Sequence, residues 1–100
     1  MFGQPSECQR HEAMVSAMTA RMKEGTSVRE HLLRMMTYLN TAETYGARID
    51  ERSQVTMIME TLLKSFLEFK SNYGMNKFTF TLTQLLNEIT HYESILVKSS

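Results

Sequence analysis

Proline occurs once in this chain, glycine four times and tryptophan not at all. So few turn formers argue against a protein of many short strands and in favour of helices. Cysteine also occurs once, as Cys8, so no internal disulfide can form. A lone thiol fits a reducing compartment, and the expected location is cytoplasmic. Long apolar runs are missing: none approaches the roughly 18 residues of a membrane-spanning helix. The opening MFGQP lacks the basic-then-apolar layout of a targeting segment. An excess of one charge is missing too, since eleven basic residues balance eleven acidic ones. The balance is local: 1–25, 26–50 and 51–75 each hold three of each sign, and 76–100 holds two of each. No basic block exists to release counterions from a phosphate backbone, so direct nucleic-acid binding is not expected.

What is present is enough apolar material to fold. At 42% apolar over 100 residues, the chain should form one domain, 1–100, with a modest core. Five helical segments can be read. Ser6 and Gln9 have capping-box spacing, in which each side chain satisfies the other residue's free backbone N–H. From there a helix is expected to run to Gly25 as its C′ residue, with Cys8, His11, Val15, Met18 and Met22 on its inner stripe. Ser27 and Glu30 repeat the capping spacing, with Thr26 as a rival cap. Val28, Leu32, Met35, Met36, Leu39 and Ala42 then form an apolar face, and Gly46 should stop the helix. Asp50 caps a third helix with Glu51 in its first turn, burying Val55, Ile58, Met59 and Leu62. A short fourth helix is expected over Lys64 to Tyr73, burying Phe66 and Phe69 and ended by Gly74. MNKFTF reads as a partly extended loop. Thr81 and Gln84 open the last helix, whose inner face is Leu82, Leu85, Leu86, Ile89, Tyr92 and Leu96. The tail VKSS should fray. The fold class is all-α, a compact bundle of four to five helices.

Chemistry-bearing patterns are thin. Cys8 and His11 have C-x-x-H spacing, and His31 and His91 are the other imidazoles. Zinc needs four such ligands, or three and a water. With one locally spaced pair, Cys8 and His11 read better as neighbours at a helix–helix contact. A cysteine nucleophile would need an oriented base and an oxyanion hole, and no strained glycine-rich turn presents one. No catalytic residue, metal or cofactor is expected. Nine methionines make an adaptable apolar set. Met18, Met22, Met35, Met36 and Met59 read as core, while Met57 falls off the third helix's stripe and should point outward. Glu30 and Arg34 are spaced as an i, i+4 pair on a solvated face.

Three ordered blocks carry a resemblance: RMKEGTSVREHLLRMMTYLNTAE, IDERSQVTMIMETLLKSFLEFKSNYGMNK and TLTQLLNEITHYES. Together they resemble the Gag polypeptide of copia-type LTR retrotransposons, from about Met1 to Leu96. More distantly, Gly25, Val28 and Arg34 are placed like parts of the major homology region of retroviral capsids. The resemblance implies a leading helix, 1–25, followed by a bundle, 26–97, like a retroviral capsid C-terminal lobe. It implies a structural, non-enzymatic protein that self-associates with other Gag copies, with no membrane partner. It also implies that the joint of Gly25, Ser27 and Val28 is braced by Glu30 and Arg34. By analogy with capsid lobes, Ser53, Met57, Thr61 and Lys64 are the candidate assembly interface. Two departures stand out. Leu63 replaces a usual proline in LLKSF, so the third and fourth helices would run together or bend less sharply. Glu24 replaces the glutamine before the homology-region glycine. The zinc knuckle that binds RNA in this family is not in these residues. The alternative reading is a monomeric helical interaction module, or an inactive retrotransposon remnant.

Overall fold

The helices are α1 (Gln4–Thr19), α2 (Val28–Thr44), α3 (Glu51–Glu60), α4 (Leu67–Asn76) and α5 (Leu82–Ser99), with a 3-10 turn at Lys64–Phe66. The computed structural model describes residues 4–76 and 80–99, and side chains over 7–73 and 80–97. Among the described residues there is no strand.

The capping signals set most of these boundaries. Ser27 settles the choice at α2: its backbone is extended (φ −69°, ψ 147°) and its hydroxyl accepts the Glu30 N–H at 3.2 Å. Gly46 stops α2 with φ +107°, a conformation that L side chains rarely adopt. The Ala47 N–H returns to the Ala42 carbonyl at 2.9 Å and the Gly46 N–H to Glu43 at 3.0 Å, a Schellman ending. Asp50 caps α3 through the Ser53 N–H at 3.0 Å. At α5 the capping box is complete: Thr81 Oγ1 accepts the Gln84 N–H at 3.1 Å and Gln84 Oε1 accepts the Thr81 N–H at 2.9 Å.

The core joins α1, α2, α3 and α5. Leu32, Met35, Leu39, Ile58, Leu85 and Ile89 are fully buried. Each contributes about 1.5–3 kcal/mol by leaving water. The inner face of α5 is as the periodicity predicts, with Leu82, Leu86, Tyr92 and Leu96 half-buried around Leu85 and Ile89. Aromatic rings dock α4: Phe69 lies 5.3 Å from Tyr92, and Tyr73 lies 5.2 Å from Phe80, centroid to centroid. The most extensive helix–helix contact is α1 on α2. Ala17 shares one core with Leu85 and Ile89, so the leading helix is built into the bundle.

The leading helix departs from the sequence reading in three ways. It already runs at Gln4, so Ser6 lies inside it and is not its cap. Pro5 is compatible with this because first-turn N–H groups lack helical partners in any case. It ends at Thr19, well before Gly25. The Met22 N–H crosses to the Thr61 carbonyl at 2.8 Å, so a tertiary bond replaces the next turn. Gly25 instead sits with φ +88° in a turn closed by the Thr26 N–H on Lys23 at 3.2 Å. The buried stripe is also different. Ala13 and Ala17 face inward, while Cys8, His11, Val15 and Met18 are exposed. Small alanines let α1 lie close to α2, and close approach outweighs bulk in choosing the inner face.

Further along, α3 and α4 remain separate without a proline. Leu63 is extended (φ −65°, ψ 161°) after Thr61 has capped α3. Lys64–Phe66 is a 3-10 turn and not the first turn of an α-helix. Phe66 is buried and Phe69 half-buried, as their spacing predicts. Gly74 does not end α4, which continues to Asn76. A helical glycine costs only about 1 kcal/mol against alanine. Of MNKFTF, Met75 and Asn76 are helical, and 77–79 lie outside the described residues. The expected fraying at VKSS is not seen as far as Ser99, which is still helical.

Candidate functional site

The joint between α1 and α2 is closed from outside its own sequence. Val28 is fully buried, and its N–H donates to Glu93 Oε2 at 2.8 Å. A carboxylate at the first free N–H of a helix also meets the positive end of its dipole. Glu51 does the same for α5, accepting the Leu82 N–H at 2.7 Å. The expected brace is not formed. Glu30 and Arg34 are both exposed, and no ion pair joins them among the described residues. Their side chains lie on the solvent side of α2, where an ion pair is screened and gains little. Glu24 is exposed in the turn beside Gly25.

The polar lattice that locks the joint is built on His31 and Thr61. His31 Nε2 lies 2.7 Å from Thr61 Oγ1, and both residues are 2% exposed. The Thr61 hydroxyl gives its one proton to the Ile58 carbonyl at 2.6 Å, so it must accept from His31. His31 therefore carries its proton on Nε2. Burial pushes the His31 pKa below 6.5, and the positive charge of Arg34 lowers it further. With Met22 bonded to the Thr61 carbonyl, one residue ties the joint, α2 and α3 together. The signal was a polar residue on the Val28–Leu32–Met35 face. A second hidden bond set belongs to Gln54, 5% exposed, whose Nε2 donates to the Ile49 carbonyl at 2.8 Å and to Glu43 Oε2 at 3.3 Å.

The candidate interface residues do not form one open surface. Ser53 is exposed and its hydroxyl donates to Asp50 Oδ1 at 2.8 Å. That bond, then the Ser53 backbone N–H, holds the Asp50 carboxyl below its usual value of 3.8. Lys64 is exposed. Met57 does not point outward: it is half-buried against the core. Thr61 is buried in the lattice just described and offers nothing to a partner. Met57 and Thr61 are one turn apart, and both turn toward the protein rather than toward solvent.

Large exposed apolar side chains lie elsewhere, on α1 and also at Leu33, Leu67, Ile95 and Val97. On α1, Val15 is 42% and Met18 60% exposed. Cys8 and His11 share that side and are exposed, not packed at a helix contact. Met18 is thus not a core methionine, whereas Met22, Met35 and Met59 are. Among the described residues no group of three or more His, Cys, Asp or Glu could hold a metal ion. Among them, too, no helix is long and apolar enough to cross a membrane.

The arrangement is that of a helical scaffold whose polar groups serve its own joints. No curated protein and no solved structure gives a significant match, so the likeness to a retroviral capsid lobe draws no support from solved structures. The family model for the gag-polypeptide of LTR copia-type matches residues 2–100, and the chain belongs to that family.

Proposed function

We propose that this chain is a structural Gag component that self-associates through helix contacts and builds part of a particle shell. The observation that carries this reading is the family match over residues 2–100. Gag polypeptides are structural proteins, and the reading includes no enzymatic activity and no cofactor. Its partners are other copies of itself and of Gag, in the cytoplasm, without direct nucleic-acid contact from this segment. The exposed Val15 and Met18 support an association role, since exposed apolar side chains gain by being covered. Size-exclusion chromatography with light scattering tests it. A mass that rises reversibly with loading concentration is expected. A constant monomer mass would contradict it.

A second reading is a monomeric helical interaction module, or a remnant that no longer assembles. The same exposed side of α1 would suit docking on a different polypeptide. A constant monomer mass together with a cooperative thermal transition would favour this reading.

A further inference from the structure

Two apolar surface features stand out, one convex and one concave. The convex one is the outer edge of α1, where Val15 is 42% and Met18 60% exposed. Arg21 follows, and its Nη1 donates to the carbonyls of Met18 at 3.1 Å and Ala20 at 2.6 Å. Those bonds hold a positive charge at the C-terminal end of the helix.

The concave feature is a surface cleft of about 590 Å³ where the joint, the 3-10 turn and the end of α5 meet. Met22, Leu63, Phe66 and Leu96 line it, and Glu93 places a carboxylate in its wall. Glu93 Oε2 accepts the Val28 N–H. A carboxylate has roughly four lone-pair sites, so it can accept from a further donor. Neither Val15 nor Met18 lines this cleft, so the chain does not fill its own hollow.

The two features are complementary. An apolar ridge followed by a cation faces an apolar hollow with an anion in its wall. We propose that the ridge of Val15 and Met18 on one copy seats in the hollow lined by Leu63, Phe66 and Leu96 on the next, with Arg21 against Glu93. This rests on the self-association reading and names its surface. Ridge and hollow are different patches, and the contact proposed is the heterologous, head-to-tail one, in which a copy's ridge and its hollow engage two different neighbours. Each added copy leaves one ridge and one hollow open, and growth continues unless a ring closes. Apolar burial supplies affinity, while the ion pair orients the partners and weakens with salt.

The test uses two variants at exposed positions, Met18→Glu on the ridge and Ser65→Arg at the mouth of the hollow. Circular dichroism melts check that both keep the fold. Arg21→Glu, exposed and outside the helices, carries the ridge prediction should Met18→Glu unfold. Each variant alone should self-associate about tenfold or more weakly than wild type, the effect expected of an anchor residue. Mixed in equal amounts, they should form a dimer and stop there. The intact ridge of Ser65→Arg then fills the intact hollow of Met18→Glu. Folded variants that associate like wild type, or a mixture that stays monomeric while wild type assembles, would overturn the proposed surface. A wild-type chain that is monomeric throughout would overturn the self-association reading itself, and the surface with it.

Discussion

The imidazole of His31 and the hydroxyl of Thr61 meet at 2.7 Å, each residue 2% exposed. This bond, with Met22 on the Thr61 carbonyl, holds α1's exit against α2 and α3. Burial and then Arg34 keep the His31 pKa below the unfolded value of 6.5. The unfolded chain therefore takes up a proton more readily than the folded one. The stabilising contribution is full above pH 6.5 and is lost as pH falls from there toward the folded pKa. Urea unfolding across this range should show a decline below pH 6.5 that vanishes in His31→Gln. Thr61→Val should cost about 1–3 kcal/mol, because it leaves a buried N–H unpaired. A wild-type profile that stays flat through that window would contradict this role for His31.

Two helices borrow their N-terminal carboxylates from elsewhere in the fold. Glu93 caps α2 and Glu51 caps α5. Removing Glu93 as Glu93→Ala should destabilise by about 0.5–2 kcal/mol. Glu51→Ala should cost less, because its bond is exposed and solvent competes for it. The two losses should add, since they act on separate helix ends. Chemical denaturation of both single variants and the double variant gives the comparison.

Leu63 already has the φ that proline imposes, −65°. Its N–H makes no hydrogen bond among the described residues. Leu63→Pro should therefore fold, with a stability change below about 1 kcal/mol as lost packing offsets reduced unfolded-state entropy. A thermal melt that shows a loss of several kcal/mol would mean that Leu62 or the ring clashes.

Met57 is half-buried against the core, so Met57→Asp acts mainly on folding. Stability should fall by about 1–3 kcal/mol. Association of the folded fraction should be unchanged, as read by cross-linking at matched folded concentration. A folded variant that had lost association would return α3 to the interface.

The sequence carried most of α2, α3 and α5, because side chains next to each boundary specify it. Ser27, Gly46, Asp50 and the Thr81–Gln84 pair satisfy backbone groups within a few residues of themselves. The leading helix was less legible. Its exit is decided by Met22 bonding to Thr61, thirty-nine positions on, and its inner face by how closely Ala13 and Ala17 let two backbones approach. The tertiary bond leaves no trace in the pattern, and the i, i+4 alanine pair is outweighed in any hydrophobic stripe by the larger Val15 and Met18. The joint shows the same division. Ser27 could be read from local chemistry, and so could the left-handed backbone of Gly25, but not that Gly25 belongs to a separate turn beyond the helix end. Glu93, sixty-five positions from Val28, could not. The brace that the resemblance implied for Glu30 and Arg34 is not formed, whereas their spacing correctly placed both on the solvated face of α2.

Sedimentation velocity on the wild-type chain, from low to high micromolar concentration at two salt levels, tests the central claim most directly. The account predicts a reversible shift to larger species as concentration rises, weaker at high salt and growing past the dimer. A well-folded monomer at every concentration and both salt levels would contradict it.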